Sequence, residues 1–186
     1  MAETEQPVKQ FEGVLEGTDV IVWGEREAEE VYDIGCYGKS EGGQNTLALV
    51  EAMHLVERKR LLVREGKTKL DKEEFHARAS ELDKEFAQKY KVFKDLRERG
   101  FVVRTGFKFG THFRVYDRGV KLKKGPKSAK EHTKWIVHAV PEGFTCSYAE
   151  LSRAVRLAHN IRATMLWAVV DDEGDVTYYH VTRITP

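Results

Sequence analysis

The sequence predicts a mixed α/β (α+β) protein made of two small domains, residues 1–82 and 83–186. Three observations lead there. The length of 186 residues suits one ordinary domain or two small ones. Short runs rich in Val, Ile and aromatic residues, parted by glycines, read as strands. Longer stretches repeat apolar residues at spacings of three and four, as amphipathic helices do. In the first half, 14–15 and 20–23 are strand-like and parted by Gly17. A helix is expected over 26–34, ended by Gly35-Cys-Tyr-Gly38. Residues 40–44 read as a loop. Asn45 or Thr46 would then cap a helix through Val50, Met53 and Val56 to about Arg58. A short strand at 61–63, a turn at Glu65-Gly66 and a polar helix over 70–81 complete this half.

The second half begins with a long helix, 82–99, whose Leu82, Phe86, Tyr90, Phe93 and Leu96 share one face before Gly100 stops it. Strands are expected at 101–104, 111–116 and 133–140. A loop at 117–131 carries Gly119, Gly125 and Pro126. Ser147-Tyr-Ala-Glu150 fits a capping box opening a helix through Leu151, Val155 and Ala158. Strands at 165–170 and 176–184 read as a hairpin across Asp171–Asp175. The domain thus has about five strands.

Charge is balanced in sum and uneven in place. There are 31 Lys+Arg and 30 Asp+Glu, a formal net charge of +1, which excludes a polybasic coat. Residues 1–30 hold nine acids and two bases, a net of −7. Residues 119–134 hold six lysines (Lys121, Lys123, Lys124, Lys127, Lys130, Lys134) and one acid, Glu131, a net of +5. Separate zones of this kind steer an anionic ligand or dock subunits on one another. Aromatics at 10% exclude wholesale disorder. No apolar run approaches the roughly 18 residues of a membrane span, and the acidic N-terminus is no signal peptide. Two cysteines are too few for a disulfide framework, so an intracellular, cytoplasmic protein is expected. Scarce Asn and Gln beside abundant Glu, Lys and Arg suggest a thermophile.

Three chemistries come into question for these residues. The seven histidines form no HExxH and there is no CxxC pair. Asp117 and Glu131 flank a loop with five lysines between them, which favours phosphate over a metal cage, so no metal site and no cofactor is expected. Cys146 precedes a helix N-terminus, yet it and Cys36 read best as small buried hydrophobes. Tyr116 and His132 bracket the basic loop. Metal-free RNA cleavage needs a base for the 2′-hydroxyl, an acid for the 5′-oxygen and a cation for the phosphorane. Tyr116 and His132 suit the first two roles; the ordinary alternatives are a half-buried strand tyrosine and a solvated loop histidine.

The runs FVVRTGFKFGTHFRVY (101–116), EHTKWIVHAVP (131–141), LAHNIR (157–162) and WAVVDDEGDVTYY (167–179) closely resemble the archaeal tRNA-splicing endonuclease (tRNA-intron endonuclease) family, in that family's order and spacing. YGKSEGG (37–43) and LVEAMHLVER (49–58) look like its N-terminal domain, with a less specific signal. The resemblance implies a restriction-endonuclease-like nuclease domain behind a small α/β domain. It implies metal-independent cutting of precursor tRNA at bulge–helix–bulge motifs, leaving a 2′,3′-cyclic phosphate and a 5′-hydroxyl. Tyr116 falls on the family's general base and His132 on its general acid. Arg156, with Arg183 as the second half, matches a clamp on a flipped bulge base. Lys123, Lys124, Lys127 and Lys130 would hold the RNA backbone. Asp171, Asp172, Glu173 and Asp175 fall on an acidic loop that inserts into a neighbouring subunit. The implied partners are precursor tRNA and a homotetramer or an α2β2 heterotetramer, with no membrane.

One position departs from the family. Ala163 stands where the family has a catalytic lysine, and an alanine cannot offset phosphorane charge. Arg162 and Thr164 were expected to point away from it, as neighbours on a strand do. Either the lysine has been replaced in an otherwise active subunit, or the chain is a natural non-catalytic, RNA-binding partner in a heterotetramer. The first is preferred, because a subunit without catalytic duty has no physical reason to keep Tyr116, His132 and Arg156 together.

Overall fold

A computed structural model of the chain describes residues 9–105, 111–122 and 131–184. Its residues fall into two compact units, one ending at Lys84 and one beginning at Glu85.

In the first unit, β1 (Phe11–Glu16) and β2 (Asp19–Trp23) form an antiparallel pair around Gly17. Helix α1 (Glu25–Asp33) follows. Here the structure departs from the expected loop and cap. Lys39–Glu41 is a strand, β3, and Gln44–Ala48 another, β4. Only Gly42 and Gly43 turn between them, with φ of +62° and +76°. Two consecutive positive φ values make a tight hairpin that glycine alone adopts freely. Asn45 therefore caps nothing. It is fully buried, and its Nδ2 donates to the carbonyls of Ala28 (3.0 Å) and Tyr37 (3.1 Å). The long-range pairing of β4 with β2 outweighs the local capping preference of Asn and Thr.

Helix α2 (Leu49–Glu57) is mostly apolar, and Leu49 through Leu55 are all buried, Glu51 and His54 included. Its buried carboxylate, Glu51, accepts N–H groups of Gly38 (3.1 Å) and Ala48 (3.0 Å). Strand β5 (Leu61–Glu65) lies parallel to β1, and β6 (Thr68–Leu70), absent from the sequence reading, pairs with β5. The sheet order is β3-β4-β2-β1-β5-β6.

The expected helix over 82–99 is two helices. Leu82 ends α3 (Lys72–Leu82), Asp83 is extended, and α4 (Phe86–Glu98) starts afresh. Phe86, Tyr90, Val92, Phe93 and Leu96 are buried, each worth about 1.5–3 kcal/mol relative to exposure. Phe93 meets Phe113 with ring centroids 5.8 Å apart, which seats α4 on one face of the second sheet.

That sheet runs β11-β10-β9-β8-β7. Its strands are β7 (Val102–Thr105), β8 (Phe113–Tyr116), β9 (Trp135–Pro141), β10 (Thr164–Val170) and β11 (Val176–Val181). β9 and β10 are parallel, joined through α5 (Tyr148–Asn160); the other pairs are antiparallel. The expected capping box is present. Ser147 accepts the Glu150 N–H, and the Glu150 carboxylate accepts from the Ser147 N–H and hydroxyl. Helix α5 covers the sheet face opposite α4, where Ile136, Ala158 and Met165 cluster with Val155, Ala163 and Trp167 around them.

Candidate active site

Strand register, not sequence proximity, gathers the site. Val115 of β8 pairs with Trp135 of β9, and Trp135 pairs with Thr164 of β10. One residue outward, Lys134 joins all three strands. Its N–H donates to Val115 at 2.8 Å, and its carbonyl accepts the Thr164 N–H at 3.1 Å. Tyr116, the 131–134 segment with His132, and Ala163 therefore emerge at one end of the sheet. Two ladder spacings of about 4.8 Å put the Tyr116 and Ala163 backbones roughly 10 Å apart.

Alternation from Phe113, which faces α4, sends Tyr116 to the α5 face. It is 2% exposed, so it is fully buried rather than half-buried. His132 is exposed. Lys134 lies on the opposite face. Its ammonium is 2.6 Å from Asp117 and stands over the rings of Trp135 (4.8 Å) and Phe101 (5.8 Å). Lys123, Lys124, Lys127 and Lys130 lie outside the described residues.

The surroundings of Ala163 overturn the expected strand geometry there. Ile161 caps α5, Arg162 takes a left-handed conformation (φ +57°), and β10 starts only at Thr164. Arg162 N–H donates to His159 (3.0 Å) and Ala163 N–H to Ala158 (2.9 Å), the double bond of a Schellman ending. Alternation does not apply across such a turn. Arg162 is exposed, while the Ala163 methyl packs against the Ile136–Ala158–Met165 cluster.

A cleft of about 320 Å³ opens between the end of α5 and β11. It unites Arg156, Ala163 and Arg183 with two histidines not singled out from sequence, His159 and His180. His159 was findable, because it lies three residues after Arg156 and so shares its helix face. His180 enters only through its pairing with Leu166. Tyr116 and His132 do not line this cleft.

The β10–β11 hairpin is held by Asp171, whose carboxylate accepts the Asp175 N–H at 2.8 Å. Asp172, Glu173 and Asp175 are exposed. Cys36 is buried as expected, but Cys146 is exposed, because residues 141–150 carry no covering layer in this chain.

The chain thus has two α/β units, the second a five-stranded sheet with a helix on each face. Residues 86–178 match the tRNA intron endonuclease catalytic C-terminal domain, and residues 11–76 match the tRNA intron endonuclease N-terminal domain. The chain belongs to the tRNA intron endonuclease family. A tRNA-splicing endonuclease of Thermococcus gammatolerans is 42% identical over 167 residues, 90% of this chain and 94% of that protein. One of Thermococcus kodakarensis is 41% identical over the same length and coverage. One of Methanosarcina barkeri is 40% identical over 166 residues, 88% of this chain but 46% of that longer protein.

Proposed function

We propose that the chain is a subunit of a tRNA-splicing endonuclease that cuts precursor tRNA at bulge–helix–bulge intron boundaries without a metal. The observation that carries this reading is the three-strand meeting at Lys134, which sets Tyr116, His132 and position 163 at one sheet end. Tyr116 takes the 2′-hydroxyl proton, and the 2′-oxygen attacks the adjacent phosphorus. The bond to the 5′-oxygen breaks, and His132 protonates that oxygen. The products are a 2′,3′-cyclic phosphate and a 5′-hydroxyl. Arg156 and Arg183, on one cleft, hold a splayed bulge base between their guanidinium planes. Because Tyr116 is buried in the free chain, RNA binding must open a path to its hydroxyl. Two cuts per intron require at least two active copies, in a homotetramer or an α2β2 heterotetramer docked through the Asp171–Asp175 loop. Among the described residues no helix is long and apolar enough to cross a membrane.

Ala163 leaves the phosphorane without its nearest cation, a loss of about 10²–10³ in rate. The buried Tyr116 and the apolar packing of Ala163 favour a second reading, a non-catalytic RNA-binding subunit. Cleavage of a bulge–helix–bulge RNA in EDTA, by this chain and by Ala163→Lys, separates the two. A roughly hundredfold gain with lysine supports the catalytic reading. Two inert proteins, each still binding the RNA, support the non-catalytic one.

A further inference from the structure

A second and larger cleft, about 660 Å³, runs along the other flank of α5, over β9 and the start of β8. Its size is that of a small-molecule site. Two of its lining groups are buried polar atoms without a partner among the described residues: the hydroxyl of Thr111, a residue 7% exposed, and the indole N–H of Trp167. Native proteins rarely leave such atoms unmatched. Its wall is an aromatic ladder, with ring centroids 5.6 Å apart for His138–Phe144 and 6.3 Å for Phe144–Trp167. Phe144 is 41% exposed on the lip. The rim carries two exposed guanidinium groups, Arg153 and Arg156. Both acids of the lining are engaged elsewhere. Glu150 caps α5 through Ser147, and Glu85 contacts Lys89 (3.0 Å) and His112 (3.6 Å).

The ligand that answers these features has a flat π face, an acceptor for the indole N–H, a partner for a hydroxyl, and a negative charge. A nucleotide has all four, and aromatic faces interleaved with cations are how unpaired bases are held. Arg156 lines both clefts, so neighbouring nucleotides of one strand reach one cleft each. We propose that this cleft binds a second unpaired nucleotide of the RNA. Its base lies against Phe144, its edge bonds Trp167 Nε1 and Thr111 Oγ1, and its phosphate sits between Arg153 and Arg156. The identity of the ligand as RNA rests on the proposed function; the presence of the cleft and its polar and aromatic lining does not.

The test is binding of an uncleavable bulge–helix–bulge RNA, 2′-deoxy at the scissile positions, with 2-aminopurine placed at each unpaired position in turn. Thr111→Val keeps shape and removes the hydroxyl, and Trp167→Phe keeps an aromatic ring and removes the indole N–H. Arg153→Gln changes the exposed rim and leaves the fold intact. Each is expected to weaken binding about five- to tenfold, with the fluorescence of one bulge position altered and the others unchanged. Thr111→Ser is expected to bind as the parent does. Unchanged affinity in all three variants, or a loss spread evenly over every position, overturns the proposal. So does a change in oligomeric state at unchanged RNA affinity, which would make the cleft a contact between protein chains. Position-specific binding with no cutting, even by Ala163→Lys, would remove the cleavage reading and leave this site standing.

Discussion

Helices α2 and α5 make opposite use of similar material. Seven of the nine residues of α2 are buried, among them Glu51 and His54, whereas of the thirteen residues of α5 only Ala158 is. The polar groups around α2 bind one another and the local backbone. Glu51 accepts two N–H groups, Tyr37 Oη lies 2.9 Å from His54 Nδ1, and the Asn45 amide nitrogen donates twice. Gly38 completes this packing. Its φ is +64°, and a Cβ there would stand 1.8 Å from Asn45 Oδ1. Around α5 the surroundings are open. Unmatched polar atoms occur at both helices, Asn45 Oδ1 beside α2 and Thr111 Oγ1 and Trp167 Nε1 beside α5, but only at α5 do they line a cleft, and ten residues before and into that helix, 141–150, are exposed. A helix closed in on itself is scaffold. A helix held on its sheet by one small cluster leaves its flanks for a ligand.

Matched truncations test this contrast most directly. Met53→Ala on α2 is expected to cost about 3 kcal/mol in urea denaturation, through lost transfer energy and a cavity that close packing cannot refill. Leu157→Ala, half-exposed on α5, is expected to cost under about 1 kcal/mol. Equal losses at the two sites would break the comparison.

The cap of α5 comes next. With so little of this helix buried, the Ser147–Glu150 box carries a large share of its stability, and Ser147→Ala is expected to cost about 1 kcal/mol. Hydrogen bonds from Ser147 hold the Glu150 carboxyl below its ordinary range. That contribution is complete above the unfolded glutamate value and disappears as pH falls through the lowered folded one. The far-ultraviolet helix signal of the parent should therefore fall with acid over this window, and that of Glu150→Gln should fall less.

The smallest expected effect is a gain. Arg162 holds the left-handed position of a Schellman ending that α4 fills with Gly100 (φ +87°). Arg162→Gly should stabilise the chain by about 0.5–1 kcal/mol, seen as a higher thermal midpoint. A loss would mean that the arginine side chain makes a stabilising contact outweighing its backbone strain.

Local signals carried much of the reading. Ser147 and Glu150 stand at capping-box spacing, Gly100 stops α4, and the apolar run at 165–170 returns through Asp171–Asp175 as a hairpin. These depend on neighbours a few residues away. The failures also share a cause. Asn45 carries a strong capping preference, yet its place is set by partners eight to twenty-three positions distant, Tyr37, Ala28 and Val22. Leu82 continues the spacing of α4, but the break at Asp83 separates the two helices. The strand alternation assumed for Arg162 to Thr164 fails because the Schellman turn reaches as far as Ala163.

The candidate site divides in the same way. By itself the sequence determined which side chains of suitable chemistry exist: the phenol of Tyr116, the imidazole of His132, and the guanidinium groups of Arg156 and Arg183, with only a methyl at Ala163. It also determined the family, through motifs whose order and spacing are written along the chain. Only the tertiary structure decided that Lys134 joins the three strand ends, that Tyr116 is buried and Cys146 exposed, and that α5 separates two clefts sharing Arg156. The physical reason is range. Caps, turns and periodicity are settled within one or two helical turns of chain. Register, burial and clefts follow from pairings between strands tens of residues apart, which no local pattern encodes.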